Sequence, residues 1–291
     1  MNSRVNLKCR RRLQRSDLAK LFNLRKYSII LSIKYEGINI LEILQKNVVA
    51  FIDLLGFKEA VKQASKNNVD VEKILDLLEK IKEGENPISQ MNTEVTQREK
   101  LAKLRPAITA SSDSLVISFP EYHLDQDFGW RHVLIEMANI IGQLFKITIE
   151  AGFLFRGGIS FECFYHKNGV FFGQALEEAL EVESNIAVYP RVIVDPQLIK
   201  KVEDESNGGT WVSFFKDSDS LYCLDYLSFM RKFTGFMETT LPEKISELME
   251  KNIAELEKAG KLNELAKWQY FKKYYNRTIL SYLLEQYELP N

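Results

Sequence analysis

The stretch Val48-Val49-Ala50-Phe51-Ile52-Asp53-Leu54-Leu55-Gly56-Phe57 decides the reading of this chain. A run of apolar, β-prone residues stops at an aspartate and gives way to a glycine. That pattern reads as a buried strand that delivers a carboxylate to its end and turns into a helix. A second stretch repeats the device: Ile108-Thr109-Ala110-Ser111-Ser112-Asp113-Ser114-Leu115-Val116-Ile117-Ser118-Phe119. It predicts two strands with Asp113 at the turn between them. Each aspartate has a plain reading, Asp53 as the cap of a helix opening near Gly56 and Asp113 as a turn residue. Taken together they have another, because buried strands that bring two carboxylates to one edge are how two-metal phosphoryl-transfer sites are built.

Working outward, strand Asn47 to Ile52 is followed by two helices, Phe57 to Ser65 and Val71 to Ile81, the latter with apolar spacing at Ile74, Leu77, Leu78 and Ile81. Glu83 to Thr96 reads as a polar surface excursion. The strands Ala107 to Ser111 and Ser114 to Phe119 come next, then an apolar helix, Trp130 to Glu150, that must lie across a sheet. Phe153 to Phe161 is a strand whose Gly157-Gly158 lets another backbone approach closely. A hairpin from Cys163 to Val170, a helix Gly173 to Ser184 and a final core strand Tyr189 to Val194 complete the series. The order βααββαββαβ predicts an α+β fold, a ferredoxin-like, mostly antiparallel sheet with an added hairpin and helices packed on one face. The chain divides on this reading into a basic extension (1–45), a sheet domain (46–196) and a β-hairpin plus helical region (197–291), whose Glu and Lys runs read as a solvated helical face.

Composition narrows the function classes. A hydrophobic content of 45% with 27% charged residues suits a chain with a substantial core. Residues 1–26 carry nine Lys or Arg against the single acid Asp17, which leaves the remainder at a net charge of -9. An acidic body argues against a broad nucleic-acid-binding face. The apolar run Tyr27 to Ile33 is cut off by Lys34, so no secretory signal is read, and no stretch approaches the roughly 18 apolar residues of a membrane span. A cytoplasmic protein without membrane or nucleic-acid partners is expected. Cys9, Cys163 and Cys223 are too scattered for a disulfide framework or zinc motif, and His123, His132 and His166 show no ligand spacing. His166 is expected to be solvent-exposed in a turn before Asn168-Gly169.

Four motifs in order carry a resemblance. Phe51-Ile52-Asp53-Leu54-Leu55-Gly56-Phe57 resembles the first metal motif of class III nucleotide cyclases, and Ser112-Asp113-Ser114-Leu115 resembles the second, with serine in place of the usual glycine. Arg156-Gly157-Gly158-Ile159-Ser160 is similar to a strand motif of that family, and Gly169 to Glu183 falls where the family places a helix carrying an asparagine and an arginine. Here those two positions are Glu177 and Glu181, and the purine-selecting lysine and aspartate become Thr109 and Val170. The string Gly173-Gln174-Ala175-Leu176-Glu177-Glu178-Ala179-Leu180-Glu181-Val182-Glu183, with Tyr189-Pro190-Arg191-Val192 after it, resembles the signature of Pycsar pyrimidine cyclases, bacterial anti-phage enzymes that make cyclic CMP or cyclic UMP.

The resemblance implies a two-metal reaction in which the ribose 3′-oxygen of UTP or CTP attacks the α-phosphorus and pyrophosphate leaves. Asp53 and Asp113, with the Leu54 carbonyl, are the implied ligands of two Mn²⁺ or Mg²⁺ ions. The amides of Leu55, Gly56 and Phe57 at a helix start would cradle the β- and γ-phosphates. Arg156 has two readings, phosphate contact or dimer contact, and Arg191 reads as a structural ion-pair partner. A homodimer is implied, with the product acting through a downstream effector. Two alternatives stay open: a purine cyclase with unusual base contacts, and a non-catalytic nucleotide-binding or interaction domain.

Overall fold

The computed structural model describes residues 44–65, 68–83, 106–121, 129–205 and 214–287. The chain divides into two units, Met1–Glu42 and Ile43–Asn291, and the described residues all belong to the second. The basic extension, Cys9, His123 and the polar excursion after Glu83 lie outside the described residues.

Strand β1 (Gln45–Leu54) lies in the interior of the sheet, where its apolar run has a partner on each side. It pairs antiparallel with β3 (Ser114–Pro120) and with β4 (Phe155–Lys167), and β2 (Ala107–Ser111) pairs with β3 at the edge. Helices α1 (Phe57–Ala64) and α2 (Asn68–Glu83) separate β1 from β2, and α3 (Trp130–Glu150) separates β3 from β4. The strand order β2-β3-β1-β4, reached through one helical connection on each side of a hairpin, is the ferredoxin-like arrangement. Strand β5 (Val170–Gly173) folds back on β4, helix α4 (Gln174–Glu181) follows, and β6 (Val192–Val194) joins β4 in parallel. The predicted order of elements is observed through β6. The sheet then continues: after α5 (Pro196–Asp204), β7 (Phe214–Lys216) and β8 (Tyr222–Leu224) extend it beyond β6.

Helices lie on both faces rather than one. Val48, Ala50, Ile52 and Leu54 pack into the main core with Met137, Ile141 and Phe145 of α3, whereas Val49 packs with Ala175 of α4 on the opposite face. The cause is a small-residue track on β4. A Cβ at Gly158 would lie 2.4 Å from the Ala179 carbonyl oxygen, and the Ser160 hydroxyl donates to the Ala175 carbonyl at 2.5 Å. This is the close backbone approach that Gly157-Gly158 predicts.

Other boundaries move for local reasons. The strand expected from Tyr189 shrinks to Val192–Val194, since Pro190 has no N–H to pair and sits in a bend. Helix α4 does not run on to Ser184 as an α-helix; from Val182 to Ile186 it widens into a π turn. Strand β4 runs on through His166, which is therefore not an exposed turn residue. Helix α3 is long and apolar enough to cross a membrane by length and composition, contrary to the reading that no stretch approaches a span; 72% of that window is buried as the core of this fold.

After β8 come α6 (Tyr226–Phe233), α7 (Leu241–Lys258) and α8 (Leu262–Tyr287). Helix α8 is more than a solvated face. Its Trp268, Phe271, Tyr274 and Tyr275 are buried in the same core as the sheet, with Phe271 against Phe145 of α3 at 5.6 Å. Burial of each such ring stabilises the fold by about 2–3 kcal/mol, which fixes the register of α8 on the domain.

Candidate active site

Asp53 is the last but one residue of β1, opposite Ser114 of β3 and Arg156 of β4. The Leu54 amide donates to the Asp113 carbonyl at 2.9 Å, which carries the β1–β3 ladder one step past Asp53 and holds the Asp113 turn beside it. Ser112 enables that turn in a left-handed conformation (φ 56°), where a glycine would be unstrained. Asp53 does not cap helix α1; the capping position is Gly56 (φ 82°), and no side chain caps it. The two aspartates are thus brought to one end of the sheet by two adjacent strands.

A third carboxylate joins them. Glu183 on the π turn is buried, with its carboxylate 2.6 Å from Nη2 of Arg156, which also pairs with Asp53. Arg156 Nε lies 3.8 Å from Asp53, and Arg156 also donates to the Ala187 carbonyl at 3.4 Å. Burial pushes the Asp53 carboxyl up to about 6, helped by the negative charges of Glu183 and Asp113 and opposed by Arg156 and Lys267. Burial likewise raises Glu183, against the pull of Arg156. Three carboxylates facing one guanidinium make a site with an excess of negative charge.

That excess tests the expected metals. Asp53 and Asp113 supply oxygen donors only, in a place where like charge makes ionisation costly, and a hard divalent cation fits such a pair. Among the described residues no group of three or more His, Cys, Asp or Glu side chains is arranged around a metal position. The pair therefore suits an ion of the Mg²⁺ type, which completes its shell with water and with the phosphate oxygens of a ligand.

The remaining predicted residues are distributed unevenly. The Leu55 amide donates to the Leu154 carbonyl at 2.8 Å, so it is taken up and does not serve a phosphate. Among the described residues the amides of Gly56 and Phe57 have no such backbone acceptor, while the Phe57 ring is buried against Phe153. Glu177 and Glu181 are exposed on α4. Thr109 on β2 bonds His166 Nε2 at 2.8 Å, and Ser118 on β3 bonds His166 Nδ1 at 2.9 Å. Burial lowers His166 to about 4, so the ring is neutral and ties the β4–β5 hairpin to the sheet. Next to the site, Arg191 is an ion-pair partner as the sequence suggests, 2.7 Å from Asp217 and 2.5 Å from Asp219.

Sequence reasoning named neither Glu183 nor Lys267 as site residues. Glu183 stands at the end of the quoted Gly173-to-Glu183 string, and its signal was an acid six residues before the Tyr189-Pro190-Arg191 bend. Lys267 entered only as the start of Lys267-Trp268…Tyr274-Tyr275-Asn276, a stretch that resembles the helical tail of the Pycsar subgroup, and nothing in it marked the lysine for the site.

No family model matches this chain, and no curated protein matches it. Among solved structures it is similar to the adenylyl cyclase CyaB from P. aeruginosa, at 13% identity over 62% of this chain and 94% of that one, with a TM-score of 0.37. The guanylyl cyclase Cya2 gives 10% identity, 62% and 91% coverage, and 0.34. A class III adenylyl cyclase-like ATP-binding protein from Pseudomonas aeruginosa gives 13% identity, 74% of this chain, 44% of that one, and 0.36. At these values the likeness carries no argument about activity; the α+β architecture stands on the strand order itself.

Proposed function

We propose that the protein is a nucleotide cyclase acting on a pyrimidine nucleoside triphosphate, UTP or CTP, to give the 3′,5′-cyclic monophosphate and pyrophosphate. The observation that carries the reading is the meeting of Asp53 and Asp113 at one sheet end, tied by the Leu54–Asp113 backbone bond. In this reading the two aspartates and the Leu54 carbonyl hold two Mn²⁺ or Mg²⁺ ions. When bound, such ions neutralise the triphosphate and make the ribose hydroxyl a better nucleophile. The chain's own groups orient and neutralise. Gly56 and Phe57 offer amides at the start of α1 to phosphate oxygens. Arg156 stands beside Asp53 and Glu183 at this sheet end, which supports its assignment to a phosphate oxygen.

Residues 46–196 carry the chemistry in this reading and 197–291 buttress it. The concavity beside Asp113, lined by Ile52, Leu54, Ile81 and Leu144, has room for little more than a water molecule at about 10 Å³. A sheet with an open face buries more apolar surface when a second copy packs on it, which supports a homodimer whose second copy completes the cleft. The pyrimidine choice rests on Thr109, whose hydroxyl is already bonded to His166, and on Val170, which has no polar group for the edge of a purine. The anti-phage role is part of the same resemblance. A competition among all four nucleoside triphosphates with Mn²⁺, products resolved by mass, tests the reading. Cyclic UMP or cyclic CMP is expected. Preferential cyclic AMP or cyclic GMP replaces it with a purine cyclase, and absence of any cyclic product replaces it with a binding domain.

A further inference from the structure

A polyanionic ligand entering this site meets three carboxylates, and the one guanidinium among them is already engaged by two of these. The next positive charge comes from the C-terminal helix. Tyr270 of α8 stacks on Tyr189 with ring centroids 4.9 Å apart and planes 8° from parallel, and its hydroxyl donates to Asp217. Asp217 in turn holds Arg191, whose carbonyl accepts the Gly157 amide at 3.0 Å, one residue from Arg156. This chain of contacts fixes α8 at the end of the sheet that bears Asp53. Trp268 and Phe271, buried in the core, set the rotation of the helix. Lys267 lies three residues before Tyr270, on the same side of the helix. It is half-buried, and among the described residues it has no ion-pair partner. The contacts of Tyr270 on that side lead through Asp217, Arg191 and Gly157 to Arg156 and Asp53.

We propose that Lys267 is a phosphate-binding residue, its ammonium meeting the terminal phosphates of a nucleoside triphosphate held at Asp53 and Asp113. The assignment rests on the reading of the site as one that binds such a nucleotide. Its physical basis is the charge balance: three carboxylates and a triphosphate outweigh Arg156 and two divalent ions together, so the triphosphate tail calls for a further cation from the protein, and a lysine on a flexible stem supplies one as a point charge. The C-terminal helix then has a role in the site as well as in the core.

The test is binding of 3′-deoxy-UTP and 3′-deoxy-CTP, which cannot cyclise, compared with the corresponding monophosphates, in Mn²⁺ with the full chain. Lys267→Met, which keeps the aliphatic stem, and Lys267→Ala should each weaken triphosphate binding about ten- to a hundredfold and leave monophosphate binding unchanged. Lys267→Arg should recover most of the loss. Equal weakening of both ligands, or none, overturns the assignment, and unchanged thermal unfolding of the variants excludes misfolding as the cause. If the wild-type chain binds triphosphate but cyclises none, the proposed reaction falls and the Lys267 assignment stands. If the wild-type chain binds no triphosphate, both fall.

Discussion

Two arginine–carboxylate clusters stand side by side, one on β4 and one just before the adjacent β6, and they are built to opposite ends. Around Arg191 the charges are matched: the guanidinium is buried, Asp217 and Asp219 each take one of its terminal nitrogens, Tyr270 adds a hydroxyl, and the hydrogen bonds hold both carboxyls below their ordinary range. Around Arg156 they are not. Asp53, Glu183 and Asp113 outnumber the single cation, and burial with mutual repulsion raises Asp53 and Glu183. The first arrangement stabilises a structure. The second is unstable to the loss of any positive charge and is relieved by the arrival of one, which is the property of a site that takes cations and a polyanion.

The comparison breaks most visibly at Asp53. Asp53→Asn and Asp113→Asn should each lower the rate of cyclic-nucleotide formation by about a thousandfold or more, since each removes a charged oxygen ligand facing developing charge. Neither should lower the melting temperature, and Asp53→Asn should raise it at pH 8, because one member of a crowded carboxylate group is gone. Turnover within tenfold of wild type in either variant, with product quantified by mass, would remove the pair from the chemistry. A lower melting temperature in Asp53→Asn would show that the cluster is structural after all.

Much of this contrast was legible in the sequence, and the unread part has physical causes. Apolar runs that end in Asp53 and around Asp113 carry a strong period and a turn, so the order of elements from β1 to β6 and the meeting of the two aspartates could be read. Glu183 could not, because a helical period through Leu180 and Glu181 predicts an exposed acid, and the π turn at Val182–Ile186 rotates that residue inward. His166 read as a turn residue because Asn168-Gly169 follows it, yet the turn is tight enough to leave the ring on β4. Lys267 and Tyr270 are set by the docking of a helix about a hundred residues from β4, a long-range fact with no local signature.

The Arg191 cluster offers the converse experiment. Arg191→Met should cost about 3–5 kcal/mol in urea unfolding at pH 8, because Asp217 is left buried with one partner fewer. The sign with pH follows from the lowered carboxyls. Their contribution is present above the unfolded carboxyl value near 4 and is lost as pH falls through their folded values. The gap between variant and wild type should therefore narrow below pH 4. A variant that unfolds like wild type at pH 8 would end the claim that this cluster is structural, and would move Arg191 into the site beside it.

The smallest effect isolates burial from like charge. Glu136 on α3 has no exposure, among the described residues bonds only the Asn139 amide, at 3.3 Å, and is pushed by burial up to about 7. Its carboxyl is raised like that of Asp53, but no second carboxylate and no arginine contribute to the shift, so a raised value by itself does not mark a site. Below about pH 4.5 Glu136 is neutral in both folded and unfolded chains. Between about 4.5 and 7 the unfolded chain releases the proton first, and stability declines as pH rises. Above 7 a constant deficit of about 3 kcal/mol remains. Glu136→Gln abolishes the deficit, and its amide can donate to Asn139 Oδ1, which makes no hydrogen bond among the described residues. The variant should match wild type near pH 4.5 and exceed it by about 2–3 kcal/mol at pH 8 in urea unfolding, with cyclase activity unchanged. Equal stability at both pH values would show that Glu136 finds a partner when ionised. A loss of activity would mean that α3 reports to the carboxylate end of the sheet, and the two kinds of raised carboxylate would no longer be separate cases.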